Sequence, residues 1–164
     1  MNKLYIICLI LTCTSCLYIR NNDDTEPQKS SFKAVTINRS DFENSTELME
    51  AKPNIESGKI YVKDNYLIIN EPNEGFHIYN NSNQKTPIKI GFLKILGSTD
   101  LTIKGDIIYA NNAVDLIALK IDLELNSIEI TKRVKNIFPE KASPDGYYND
   151  TPTDEVLINW VLKN

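Results

Sequence analysis

A chain of 164 residues, 41% of them hydrophobic, is long enough for one domain with a real core. Its net charge of −4 argues against nucleic acid, which needs a basic stripe to displace phosphate counterions. Six glycines and seven prolines exclude collagen-like or linker-like composition, and the three cysteines, Cys8, Cys13 and Cys16, all fall in the first sixteen residues, so no disulfide framework staples the folded part.

Residues 1–15 read as a processing signal. Lys3 supplies the positive start, and the apolar run Leu4 to Leu11 is shorter than the ~20 residues a membrane-spanning helix needs. The small residues that follow, Thr12 to Ser15, end in Cys16 and resemble the lipobox of bacterial lipoproteins, whose cysteine is acylated and becomes the new N-terminus. Cys13 stands where that motif usually has leucine, and an ordinary secretory signal cut near Ser15 is the other reading. Two acyl attachments would hold the protein firmly on a membrane. Residues 16–33, with Pro27 and a polar cluster, read as a lipidated tether. Asp23, Asp24 and Glu26 resemble the acidic patches that send some lipoproteins to the outer face of the outer membrane, so the expected location is the cell envelope, periplasmic or surface-exposed.

Residues 34–57 form a leader segment. Phe32 to Asn38 alternates as a short strand whose partner the sequence does not reveal, and Asp41 to Ala51 reads as a short helix that Pro53 stops. From residue 58 to 164 the chain repeats itself. Gly58 to Asn70 and Asp100 to Asn112 are one pattern written twice: Lys63 falls on Lys104, Asn65 on Asp106, Leu67 on Ile108 and Asn70 on Asn111, a spacing of 104 − 63 = 41 residues. Asp64-Asn65 and Gly105-Asp106 take the hairpin-turn positions. Each strand pair leads to a second apolar run, Gly75 to Asn80 and Asp115 to Ile121, and then a third, Pro87 to Leu93 and Ser127 to Thr131. Repeats of roughly 40 to 45 residues with four short strands are the signature of propeller blades. An outer strand is expected to run on to Phe138, followed by a turn-rich loop, Ala142 to Asp154, and a final strand, Glu155 to Val161.

The runs Val62 to Pro72 (with Asn70-Glu71-Pro72), Gly75 to Asn81 (with His77), Tyr109-Ala110 and Val114 to Ile117 resemble the LVIVD-repeat β-propeller lipoproteins of Gram-negative bacteria, from Gly58 to about Trp160. The resemblance implies location and fold and carries over no catalytic residue. Asn111 and Lys120 stand where that family usually has aspartate, and Leu96-Gly97-Ser98 replaces its Pro-Gly-Asn, a loss of turn-capping groups. A closed propeller needs at least four blades of about 40 residues. The expected fold is therefore all-β, a partial β-propeller of about two blades of four antiparallel strands, read as a truncated member in preference to an assembling module or a small open β structure.

The candidate site residues are few. His77 is the only histidine, and its expected role is packing or hydrogen bonding near Glu71 rather than catalysis. A zinc site would need several nitrogen or sulfur ligands and the folded part offers one, so neither metal nor cofactor is expected. Asp145, Asp150, Asp154 and Glu155 cluster in one loop that could offer oxygens to a hard cation, but their spacing fits a solvated acidic loop better. Tyr61, Tyr79, Tyr147, Tyr148 and Trp160 could stack on sugar rings. The expectation is a lipid-anchored, non-enzymatic binding or scaffold module with a protein or glycan ligand, touching it through Glu71, His77, Asp115 and Trp160. The alternative is a glycan-processing hydrolase on a propeller that uses Glu71 and Asp115 as paired carboxylates with His77.

Overall fold

The computed structural model describes residues 29–123 and 127–164. The processing signal, Cys16 and most of the tether lie outside the described residues. Apart from one short helix, the regular structure of the described chain is antiparallel β. A first sheet has the order β2-β6-β5-β4-β3, built from β2 (Glu47–Met49), β3 (Ile60–Lys63), β4 (Tyr66–Glu71), β5 (Gly75–Asn80) and β6 (Ile88–Lys94). A second sheet, β10-β9-β8-β7, comprises β7 (Leu101–Lys104), β8 (Ile107–Asn112), β9 (Asp115–Asp122) and β10 (Ser127–Val134). β1 (Phe32–Asn38) and β11 (Glu155–Leu162) form a separate two-stranded ladder. Neither larger sheet closes on itself among the described residues.

The two larger sheets are the two copies of the sequence repeat. Asp64 and Gly105, 41 residues apart, open the two equivalent hairpins, and both take left-handed backbone conformations, with φ of 50° and 60°. Gly75 starts the third strand of the first copy at a point where a Cβ would lie 2.1 Å from the Leu93 carbonyl oxygen, so only glycine lets β5 close on β6. Alternation then decides the faces. Ile68, Phe76, Ile78 and Leu93 of the first sheet pack against Leu101, Ile108, Ala110, Ile117 and Leu119 of the second, and this is the main core.

The first and last described strands, with the helix after β1, form a second, smaller core. β1 lies antiparallel to β11, Phe32 opposite Leu162 and Asn38 opposite Glu155, with a bulge between Val35 and Thr36. β11 is thus the partner of β1 that the sequence does not reveal. Helix α1 (Arg39–Asn44) follows β1 directly, capped where the Asn38 side chain accepts from the Ser40 N–H. Its Phe42 is buried with Ala113, Val114 and Val156.

Two expected elements differ. The helix expected over Asp41 to Ala51 stops at Asn44, and Leu48 and Met49 belong to β2, paired with Leu93 and Phe92. The open edge of β6 supplies a ladder there, and Leu48 packs on the main core, so tertiary pairing overrides local helical spacing. The outer strand expected to reach Phe138 ends at Val134, because Asn136 turns left-handed, φ 52°, and gives its N–H to Asp115.

Phe42→Ala would empty the smaller core. It is expected to cost about 3–5 kcal/mol, read as a lower urea midpoint at unchanged slope.

Candidate functional site

The sequence-flagged carboxylates occupy two separate networks. Glu71 ends β4 and His77 lies on β5 opposite Ile69, which makes them diagonal neighbours on one face of the first sheet. His77 Nε2 sits 2.7 Å from Glu71 Oε2, Lys52 Nζ lies 3.4 Å from the same oxygen, and the Ile55 N–H donates to Oε1 at 3.3 Å. The Lys52 ammonium also stands 4.0 Å above the centre of the Phe92 ring, against which the imidazole tilts at 4.8 Å. Segment 52–55 therefore lies across this face and covers both groups. Burial pushes the Glu71 carboxyl up, but the His77 hydrogen bond and the Lys52 ammonium outweigh it and hold Glu71 below its usual range. Burial pushes His77 down, and Glu71 only partly offsets that. A neutral imidazole facing an ionised carboxylate carries its hydrogen on Nε2, which leaves the buried Nδ1 without a hydrogen-bond partner.

Asp115 starts β9 and is 0% exposed. Arg39 Nη2 donates to both of its oxygens at 3.0 Å, Arg133 Nη1 to Oδ2 at 2.9 Å, and the Asn136 N–H to Oδ1 at 3.0 Å. Arg133 also holds the Asn112 side-chain oxygen at 2.8 Å, and both guanidinium groups lie over the Phe42 ring, at 5.5 Å for Arg39 and 5.4 Å for Arg133. Glu71 and Asp115 share no hydrogen-bond or ion-pair partner, so the structure unites Glu71 with His77 and keeps Asp115 apart. Enclosed by two guanidinium groups, Asp115 has no face left for a substrate, and the paired-carboxylate arrangement is not assembled.

Trp160 lies elsewhere, on β11 opposite Ala34, with its Nε1 donating to the Lys141 carbonyl at 2.9 Å. It borders an open basin of about 590 Å³, whose walls include Phe32, Lys33, Tyr147, Tyr148 and Lys163. Tyr148 is 77% exposed. The loop that carries the two tyrosines is pinned by Asp145, whose carboxylate accepts from Ser143 Oγ at 2.6 Å, the Ser31 N–H at 2.7 Å and Ser30 Oγ at 2.8 Å. These bonds, that of Ser143 first, hold the Asp145 carboxyl below its usual range. Asp145 is thus a loop anchor, and among the described residues no group of three or more His, Cys, Asp or Glu could hold a metal ion, so the acidic loop does not assemble a cation site.

The remaining tyrosines serve the fold. Tyr61 meets Phe76 edge-on at 6.3 Å and donates its hydroxyl to Asp100 at 2.6 Å; burial, with that bond, pushes the hydroxyl up to about 12. The Tyr79 hydroxyl bonds Asn54 at 3.2 Å. Lys52, Arg39 and Arg133 escaped sequence reasoning. The signal available for them was general, that a buried carboxylate requires a counter-charge, and it does not say which distant cation supplies it. No protein-family model matches the chain, and neither does a curated protein or a solved structure.

Both Glu71 and His77 have pKa values lowered by folding, so each contributes stability that is present at neutral pH and lost on acidification. The loss begins as the unfolded imidazole takes up a proton below about pH 6.5 and continues below about pH 4.5 as Glu71 is protonated. His77→Gln keeps a donor beside Glu71 but cannot titrate. Its urea midpoint should fall less steeply than that of the parent between about pH 6.5 and pH 5, and equal slopes would refute the assignment.

Proposed function

We propose that this chain is a lipid-anchored envelope protein of the LVIVD-repeat propeller type, working as a non-catalytic binding module that is held to the outer membrane through Cys16 and recognises an acidic glycan at the Trp160 basin. The observation that carries the reading is how its side chains are divided. Glu71, His77 and Asp115 are buried and answered by internal partners, whereas the basin gathers Phe32, Tyr147, Tyr148 and Trp160 around Lys33 and Lys163 on the surface. Aromatic faces pack on the C–H faces of sugar rings, and lysine ammonium groups pair with carboxylates. In a chain of net charge −4 this is a local positive surface, suited to a polymer that carries uronic acids. Two four-strand units in equivalent register support the blade reading, and their open edges support a partial propeller.

Calorimetric titration of the full chain with an oligogalacturonate should give binding that weakens with salt, and a neutral cello-oligosaccharide should give little heat. Tyr148→Ala should weaken that binding about tenfold, about 1.4 kcal/mol, without moving the melting temperature. Equal affinity for both sugars, or no binding to either, would end the acidic-glycan reading.

The anchor is tested separately. Cells fed labelled palmitate should label the parent chain and not Cys16→Ser, and the variant should leave the membrane fraction. Label on the variant would place the acyl chain elsewhere.

A further inference from the structure

Each of the two repeat sheets has one face buried against the other and one face turned outward, and the repeat relates these four faces in a specific way. Strands β3 and β4 correspond to β7 and β8 with an offset of 41 residues, and β5 corresponds to β9 with an offset of 40, because the β8–β9 turn is one residue shorter. The first sheet buries Tyr61, Ile68, Phe76 and Ile78 against the second. Their equivalents in the second sheet are Thr102, Tyr109, Leu116 and Ala118, which point the opposite way. Three of them, Thr102, Tyr109 and Leu116, line an outward groove of about 480 Å³ that is bordered by Phe138.

The converse holds on the other side. The second sheet buries Leu101, Ile103, Ile108 and Ala110 against the first. Their equivalents are Ile60, Val62, Leu67 and Ile69, on the outward face of the first sheet, where Ile60 is 63% and Val62 66% exposed. Aliphatic groups at that exposure on adjacent alternate positions of an edge strand need a cover. One outward face is therefore the counterpart of the first sheet's half of the internal interface, and the other outward face is the counterpart of the second sheet's half.

Resting on the propeller reading above, we propose that a second copy of this chain covers both faces: the outward face of each copy's second sheet packs on the outward face of the partner's first sheet, repeating the internal interface twice and closing a ring of four sheets. Such a head-to-tail contact forms a closed dimer when two copies complete the turn, and four blades is the smallest propeller. Segment 52–55 already covers the His77 and Tyr79 part of the first sheet, through Lys52 over Phe92 and Asn54 on Tyr79, so the contact falls on the β3–β4 half where Ile60 and Val62 lie.

The test is sedimentation equilibrium of the full chain in density-matched detergent, with Cys16→Ser throughout so that a lipid cannot itself bring two copies together. The expected mass is twice the 18.7 kDa of one chain. Val62→Glu lies on one outward face and Thr102→Arg on the other, and both positions are exposed, so each variant should keep the parent's circular dichroism and melt while sedimenting as a monomer. Mixing the two variants should restore dimer, because a mixed pair confines both lesions to one contact and leaves the other intact. A parent monomer, an open series of larger species, or dissociation by only one of the two variants would overturn the proposal. A monomer that still binds oligogalacturonate would overturn the dimer alone and leave the binding reading in place.

Discussion

One buried negative charge holds the first and last described strands to the repeat sheets. Asp115 is wholly screened from solvent, and a carboxylate in that position is tolerable only if cations and N–H groups enclose it. Its partners come from three places: Arg39 from the start of α1, Arg133 from β10, and the Asn136 N–H just beyond that strand. Losing one guanidinium would leave the buried carboxylate short of a donor rather than merely delete a bond, a cost of about 1–3 kcal/mol. The two guanidinium groups in turn lie over Phe42, so the same charge fixes the ring around which β1, α1 and β11 pack. The cluster is at once electrostatic and apolar.

The first sheet solves a similar problem with different residues. Glu71 is answered by an imidazole and an ammonium, the latter brought by the segment that crosses the sheet face between β2 and β3. The ammonium does two tasks, neutralising the carboxylate and resting on Phe92. A buried acid with a nearby histidine is the arrangement many hydrolases use. Here the crossing segment shields it, and the pair fastens a loop.

The repeats were legible in the sequence because their information is local. Alternation, the turn residues at Asp64 and Gly105 and the spacing of 41 each depend on neighbours a few positions apart, and the strands and their order follow from them. Leu48 and Met49 were misread because their helical spacing is local too, whereas the unpaired edge of β6 that captures them is remote. The pairing of β1 with β11 spans the whole repeat region and Arg39 reaches Asp115 from 76 residues away, and no periodicity records such contacts. Among the candidate site residues, the pairing of His77 with Glu71 was legible for the same reason the hairpins were: six residues separate them across one tight turn.

Pairing of the first and last described strands also sets an order in time. β1 emerges before both sheets and β11 after them, and the ladder between them closes a loop that contains both sheets. Contacts of such sequence separation form slowly, because closure entropy is met before any contact repays it. Both repeat sheets can condense while β1 still waits, so the edge it presents stays open until β11 arrives. A ribosome that stalls near residue 150 would leave a nearly complete core with one unsatisfied strand, a species built for mispairing with its neighbours.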